Sequence, residues 1–203
     1  MEILRKLQQG TDEWLAARCG IVTMSEVHCL LVKGKGPAGL GAGALTYMNK
    51  LIAERITEEP SDSWAGNAAT RRGKELEPVA CGLYADSTGN QVDHVGIILN
   101  HGAGYSPDGL IGSDGAIEIK TKQPQDQVDV LLSGEIPGDH IAQCQGGLWI
   151  SEREWIDFVS YWPGMPLFVK RAYRDEKMIR TIAERVDAFY EEMETRMGRV
   201  LAA

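Results

Sequence analysis

The chain has 203 residues, of which 43% are hydrophobic and 25% are charged, as is usual for a folded globular protein. Its net charge of −8 argues against a generally basic nucleic-acid-coating protein, but it permits a local basic groove. The sequence lacks the ~18 uninterrupted apolar residues of a membrane helix, the apolar core of a signal peptide and any C-x-x-C pair. We therefore expect one domain over residues 1–203, in the cytoplasm and without a membrane partner.

The first half of the chain carries helix signals. Helices are predicted in four segments that begin at a cap-type residue or end at a glycine or a polar loop: residues 11–18, 23–31, 44–58 and 74–85. Thr23 and Glu26 are spaced as a capping box, so the second helix is expected to begin at Thr23. Pro78 is tolerated only in a first helical turn, so the fourth helix is expected to begin shortly before it. The glycine-rich segment 33–43 satisfies G-x-G-x-x-G, but no strand precedes it, and we interpret it as a loop.

The second half changes to strand periodicity. Strands are predicted at residues 92–99, 105–111, 116–121, 155–161 and 167–173. A helix at 139–150 contains Gly146 and Gly147, which usually allow another backbone to approach closely. The C-terminal segment carries an apolar stripe at helical spacing, which indicates core packing. These elements predict an α/β (α+β) fold in which helices flank a central mixed β-sheet.

Two acidic residues and a lysine are expected to meet at the end of one hairpin. Glu118 and Lys120 alternate with core residues along a strand, and the turn at 113–115 folds the preceding strand back towards them. This turn can bring Asp108 beside Glu118, where two carboxylates would favour a hard cation such as Mg²⁺ between them. A lysine with a lowered pKa beside that cation can hold or deprotonate water. The alternative is a solvated hairpin face that carries a common Glu–Lys pair.

Glu77 is a third candidate carboxylate. It lies close to the predicted start of a helix, where an acidic side chain is also favourable through the helix dipole alone. Without further signals, that structural role is the simpler interpretation of Glu77.

Several ordered motifs resemble those of a known nuclease family. Pro107-Asp108 followed by Glu118-Ile119-Lys120 resembles the PD-(D/E)XK nuclease signature. Further segments resemble the phage lambda exonuclease family in the same order along the chain: 9–14, 18–20, 23–27, 73–77, 106–110 and 142–145 followed by Trp149. The resemblance covers most of the chain and implies a restriction-endonuclease-like core in a single PD-(D/E)XK nuclease domain over residues 1–203.

The resemblance also implies roles for individual residues. Asp108, Glu118 and the main-chain carbonyl of Ile119 would hold two Mg²⁺ ions, with Mn²⁺ as a substitute. The other catalytic positions would be Lys120 for the attacking water, Glu77 acting through water and Gln143 on the helix behind the sheet. Arg18, Ser25 and Ser106 match the positions that hold the 5′-phosphate of the digested strand. The simpler interpretations are a surface or helix-end cation for Arg18 and a helix cap for Ser25.

Two positions depart from the family pattern. A second basic phosphate contact is expected near residue 126, but this sequence has Asp126 there, so Lys122 would have to replace it or the phosphate would bind more weakly. The segment before Gly73 has Ala68, Ala69 and Thr70 and lacks a large apolar wedge for the duplex end. Trp64 is the candidate that would replace this wedge.

The function implied by the resemblance is a 5′-to-3′ exonuclease that acts on double-stranded DNA ends in a bacterial host cytoplasm. It would release mononucleotides and leave a 3′ single strand for a single-strand-annealing recombination protein. A ring-shaped homotrimer is implied in the same way. Two alternatives are a site-specific or structure-selective endonuclease with the same core, and an inactive DNA-end-binding subunit. Neither zinc-ligand spacing nor a covalent-nucleophile pattern is present in the sequence.

Overall fold

The computed structural model describes residues 1–61 and 68–203, and it describes their side chains except at residues 68–70. The helices of this described part are α1 (Asp12–Ala17), α2 (Val27–Leu31), α3 (Ala42–Thr57), α4 (Ala68–Thr88), α5 (Pro124–Ser133), α6 (Gly138–Ser151) and α7 (Glu176–Leu201). The strands are β1 (Glu2–Leu4), β2 (Val22–Thr23), β3 (Ile97–Asn100), β4 (Ala103–Tyr105), β5 (Gly109–Ile111), β6 (Gly115–Lys120), β7 (Trp155–Ser160) and β8 (Phe168–Tyr173). None of the described helices combines the length and the apolar composition needed to cross a bilayer.

The strands form two mixed sheets, each with four strands. The first has the order β1-β3-β4-β2, in which only β2 and β4 are parallel. The second has the order β5-β6-β7-β8, in which only β6 and β7 are parallel. The predicted α+β architecture of mixed sheet and flanking helices is confirmed, although its strands are divided between two sheets. The division follows from Ser106, Pro107 and Asp108, which separate β4 from β5 where one continuous strand was expected.

The second sheet has apolar layers on both faces. On one face Ile117 and Ile119 pack with Ala80 and Tyr84 of α4. On the other face a larger core joins α6, α7 and residues such as Phe158. The predicted apolar stripe of the C-terminal helix lies in this core, where its central members are buried: Ile179, Ile182, Val186, Phe189 and Met193. Strand β6 is therefore held between α4 and the core that includes α6.

Two local predictions are wrong, in each case because tertiary packing decides the local structure. Thr23 does not begin a helix: it pairs with Gly104 in the first sheet, and its amide donates to the hydroxyl of Tyr47 at 3.0 Å. Helix α2 begins only at Val27. Pro78 lies inside α4 and not in its first turn, because the helix extends back to Ala68. Burial of Ala80 and Tyr84 against the sheet stabilises α4 despite the main-chain hydrogen bond that proline cannot donate.

Helix α5 has no counterpart among the sequence predictions. Gln123 and Asp126 form a reciprocal capping box at its start, and Pro124 occupies the first helical turn. The signal was present in the sequence, but the segment is short and follows a strand directly. Its cap also explains why residue 126 is acidic: the Asp126 carboxylate accepts a hydrogen bond from the Gln123 amide at 3.1 Å.

Candidate active site

Strand pairing places Asp108 beside β6. Gly109 pairs with Ile117 in antiparallel register, so the preceding residue, Asp108, lies at the level of Glu118. A carboxylate oxygen of Asp108 accepts a hydrogen bond from the amide of Ile119 at 2.5 Å. The predicted approach of Asp108 to the Glu-Ile-Lys strand is therefore present. Pro107 precedes it and has no amide to donate, which suits a position where the strand pairing stops.

Glu118 is the best-connected carboxylate of this cluster. Its side chain is only 2% exposed, and one carboxylate oxygen accepts from Lys120 Nζ at 2.6 Å and from Gln143 Nε2 at 2.5 Å. The other oxygen accepts from the hydroxyl of Tyr105 at 3.2 Å. The structure thus brings together Glu118, Lys120 and Gln143 from β6 and α6, as predicted. Tyr105 was missed, because only the packing of β4 against α6 brings its hydroxyl to Glu118.

The cluster carries unbalanced negative charge. Burial raises the pKa of Asp108 well above its usual range, and the nearby Glu118 and Glu77 carboxylates raise it further. Burial and the charge of Glu118 likewise raise the pKa of Glu77. Burial acts to lower the pKa of Lys120, but Glu118 and Asp108 outweigh it, and the net shift is upward. Lys120 therefore pairs with Glu118 as an ammonium group.

The donor set fits a hard divalent cation. Two carboxylates that face each other repel unless a cation or a proton lies between them, and Mg²⁺ prefers oxygen ligands. Within the described ranges no three His, Cys, Asp or Glu side chains lie close enough to hold an ion together. The ligands available from this chain are therefore Asp108, Glu118 and a main-chain oxygen such as that of Ile119, with water completing the shell. Glu77 fits a position reached through water.

Glu77 and Asp108 face a common cleft. Helix α4 carries Glu77, which is half-buried, and the cleft of about 410 Å³ also contains His94 and the segment from Arg5 to Gln9. His94 contacts the carbonyl of Asp108 through Nδ1 at 3.0 Å. An open space therefore adjoins the two carboxylates.

The three predicted phosphate ligands lie around Trp14 and Thr23. The guanidinium of Arg18 lies over the Trp14 ring, 4.1 Å from its centroid, and the indole Nε1–H donates to the hydroxyl of Ser106 at 3.0 Å. Arg18 also donates to Thr23 Oγ1 at 3.4 Å, and Thr23 contacts the hydroxyl of Ser25 at 3.2 Å. Arg18, Ser25 and Ser106 are thus linked through two intermediate side chains. Ser25 does not cap a helix, because Glu26 occupies the N-cap of α2.

The sequence analysis named Lys122 and Trp64 as substitutes for two family residues that this chain lacks. Lys122 pairs with the exposed carboxylate of Asp139 at 3.2 Å, so it is a surface ion pair in this structure. Trp64 lies outside the described residues, as do the side chains of Ala68, Ala69 and Thr70. The role of a wedge at the duplex end stays a prediction from the sequence.

Comparison with known proteins places these residues in a family. The model of the YqaJ-like viral recombinase domain matches residues 13–154. An alkaline exonuclease from Laribacter hongkongensis, LHK-Exo, has 36% sequence identity over 95% of this chain and 97% of its own, with a TM-score of 0.85. The same enzyme in complex with dAMP has 37% identity over 94% of this chain and 96% of its own, with a TM-score of 0.84. A phage-related exonuclease from Haemophilus somnus 129PT shares the fold, at 18% identity over 89% of this chain and 96% of its own, with a TM-score of 0.67.

A comparison with curated protein sequences found no match. The similarity to LHK-Exo covers almost the whole chain and confirms the restriction-endonuclease-like core that the sequence motifs implied. It also confirms the resemblance to exonucleases of the phage lambda type. This chain belongs to the YqaJ-like viral recombinase family.

Proposed function

We propose that the protein is a Mg²⁺-dependent exonuclease that digests one strand of linear double-stranded DNA from its 5′ end. The products would be 5′-mononucleotides and a 3′ single-stranded overhang. The observation that carries this proposal is the cluster of Asp108, Glu118 and Lys120, braced by Gln143, in a chain 36% identical to an alkaline exonuclease. The complex of LHK-Exo with dAMP, a nucleoside monophosphate, supports the same product class.

Different residues of the chain would bind the metal ion, orient the attacking water and bind the 5′-phosphate during phosphodiester hydrolysis. Asp108, Glu118 and the main-chain carbonyl of Ile119 would hold Mg²⁺, and Glu77 would act through water. Bound Mg²⁺ would lower the pKa of the water that it coordinates and would act as a Lewis acid on the scissile phosphate. Lys120 orients the attacking water as a donor, and Gln143 and Tyr105 keep the Glu118 carboxylate in one orientation. Two hydroxyls and a guanidinium offer donors to the 5′-phosphate: Arg18, Ser25 and Ser106.

The assembly and partners belong to the same proposal. We infer a ring-shaped homotrimer through which the duplex enters, because a chain of 22.3 kDa is too small to encircle DNA alone. The 3′ overhang would be transferred to a single-strand-annealing recombination protein in the host cytoplasm. Residues 1–203 would act as one nuclease domain in each subunit.

Digestion of end-labelled substrates tests the activity. We expect mononucleotide release from linear duplex with 5′-phosphate ends in Mg²⁺, slower release from 5′-hydroxyl ends, and none in EDTA. Covalently closed circular duplex is the control: cleavage of the circle indicates the alternative endonuclease, and binding without any cleavage indicates an inactive end-binding subunit. A mock purification without the protein controls for contaminating nucleases, and Lys120→Ala tests whether the activity depends on the proposed site.

The trimer is tested by mass and by processivity. We expect a solution mass of three times 22.3 kDa, and digestion that continues on one duplex after excess unlabelled competitor is added. A monomer that digests distributively at assay concentrations would contradict the ring.

A further inference from the structure

The cleft beside Asp108 and Glu77 is lined by residues of both charges. Asp108 and Glu77 are its acidic residues, and the N-terminal segment that includes Arg5, Lys6 and Gln9, called the basic wall below, lines the same cleft. Its volume of about 410 Å³ lies within the range of small-ligand sites, roughly 300–1,000 Å³. Neither the sequence motifs nor the proposed catalytic residues assign any role to Arg5 and Lys6.

The basic wall is anchored at several points and is not a loose terminus. β1 pairs with β3, and the amide of Gly96 donates to the carbonyl of Leu4 at 3.2 Å. A Cβ at position 96 would lie 2.5 Å from Leu7 Cβ, so only glycine lets the segment approach this closely. Gln9 Nε2 donates to the carbonyl of Pro107 at 2.8 Å and to that of Val95 at 3.1 Å. Gln9 thus ties the basic wall to the residue that precedes Asp108.

Within the described residues, the two cations of this wall have no acidic partner. Arg5 and Lys6 are exposed, and neither makes a salt bridge to a carboxylate in that part of the chain, although Glu77 and Asp108 line the same cleft. The whole chain has a net charge of −8, whereas these two neighbouring side chains are both positively charged. An anion that enters the cleft would meet both of them beside the proposed metal ligands.

We propose that Arg5 and Lys6 bind a nucleotide phosphate in this cleft. The inference rests on the proposed function, which supplies nucleotide phosphates in two forms: those of the strand under digestion and that of the released mononucleotide. Both present the same chemistry, a phosphate next to a deoxyribose. Guanidinium and ammonium groups bind phosphate through charge-assisted hydrogen bonds, and an anchored wall loses little entropy on binding.

The test compares the double variant R5A/K6A with a matched control, Arg199→Ala, which removes an exposed cation from the last turn of α7. For wild type and variants, KM and kcat on linear duplex are measured at several salt concentrations, together with inhibition by added dAMP. We expect R5A/K6A to raise KM or the inhibition constant of dAMP about tenfold with kcat within twofold of wild type. If the DNA strand is the ligand, the salt dependence of log KM should also become shallower, by about 0.7–0.9 for each phosphate that the variant no longer neutralises.

The two readouts separate the two sources of the phosphate. A raised KM with unchanged dAMP inhibition supports the strand under digestion, and weakened dAMP inhibition with unchanged KM supports the released nucleotide. The proposal is overturned if R5A/K6A matches Arg199→Ala in both measurements. If wild-type protein digests no DNA, the proposed function fails separately, and calorimetric titration of dAMP in Mg²⁺ still decides the cleft. Binding weakened about tenfold in R5A/K6A supports the proposal, whereas wild-type affinity in R5A/K6A, or no binding by the wild-type protein, contradicts it.

Discussion

At the scale of single residues, Glu118 is both a buried residue of the second sheet and a proposed metal ligand. It is buried, and donors from three different elements converge on its carboxylate: Tyr105 of β4, Lys120 of β6 and Gln143 of α6. A side chain in this position cannot be removed without structural cost. Glu118→Ala would leave the Tyr105 and Gln143 donors unpaired, at roughly 1–3 kcal/mol each. We therefore expect truncation of Glu118 to lower stability as well as activity.

Glu118→Gln is therefore the sharper variant. The amide oxygen can still accept from Tyr105 or Gln143, while the charge that would hold a metal ion is gone. We expect Mg²⁺-dependent hydrolysis to fall more than about 100-fold, since loss of a ligand should exceed the 10–100-fold effect of residues behind the ligands. Calorimetry should show weakened Mg²⁺ binding, whereas Lys120→Ala should lose activity and largely keep Mg²⁺ binding. Substantial cleavage by either folded variant would contradict the site assignment.

Arg18 carries the second prediction at this scale. Its contact with the Trp14 ring and its position at the end of α1 contribute about 0.3–1 kcal/mol each, so Arg18→Ala should lower stability only slightly. A charge-assisted bond to phosphate contributes roughly 1.5–3 kcal/mol. We therefore expect Arg18→Ala to slow digestion of 5′-phosphorylated ends about tenfold or more, and to reduce their preference over 5′-hydroxyl ends. If the full preference survives, Arg18 is a structural cation and the phosphate binds elsewhere.

At the scale of elements, the paired glycines of α6 set the distance between this helix and the first sheet. The sequence analysis expected another backbone to approach them, but the atoms nearest to both glycines belong to side chains. A Cβ at Gly147 would lie 2.7 Å from the Tyr105 ring, and a Cβ at Gly146 would lie 2.5 Å from the sulfur of Met24. Because the Tyr105 hydroxyl donates to Glu118, we expect the approach at Gly147 to influence the candidate active site as well. A side-chain thioether can move aside more easily than a packed ring.

Gly147→Ala and Gly146→Ala form a matched pair. Both gain about 1 kcal/mol of helix propensity, but Gly147→Ala must displace the buried Tyr105 ring, for which overpacking costs typically 1–3 kcal/mol. We expect urea denaturation to show a lower free energy of unfolding for Gly147→Ala than for Gly146→Ala. Nuclease activity should also fall more at Gly147, since the Tyr105–Glu118 hydrogen bond shifts. Equal stability and activity in the two variants would contradict this account.

At the scale of the whole molecule, we expect the acidic cluster to make stability depend on a bound cation. Asp108, Glu77 and Glu118 repel one another in the metal-free protein, and a ligand that binds only the folded state stabilises it by mass action. At a Mg²⁺ concentration about 100 times the Kd, the gain is ~2.7 kcal/mol, which for a chain of this length raises Tm by roughly 5–10 °C. Scanning calorimetry with Mg²⁺ and with EDTA measures the difference.

Asp108→Asn tests the origin of that stabilisation. Removing one carboxylate relieves the repulsion, so the variant should melt at or above the wild-type temperature in EDTA and should gain little from Mg²⁺. Asp86→Asn, which changes an exposed acid on α4, is the control and should keep the wild-type response. A Mg²⁺ effect of equal size in all three proteins would show that the cation acts elsewhere on the acidic surface.

The sequence by itself determined the features that depend on local periodicity and spacing. Alternation along β6 placed Ile117 and Ile119 in the core and Glu118 on the opposite face, and the apolar stripe of α7 identified its buried side. The spacing of Asp108, Glu118 and Lys120, together with the ordered motifs around them, identified the nuclease family. These features can be predicted from the sequence because each is determined by residues that lie close together in the chain.

Tertiary structure alone decided the features that depend on distant partners. Thr23 became a strand residue because Gly104 and Tyr47 supplied its hydrogen bonds, although its local pattern favoured a helix cap. Tyr105 reached Glu118 because α6 and β4 pack closely. Gln9 tied the basic wall to the residue before Asp108 through a hydrogen bond to the carbonyl of Pro107, 98 positions away. Such contacts depend on which surfaces become buried together. Local helix and strand propensities, of about 1 kcal/mol per residue, do not specify these contacts and are too weak to prevent them.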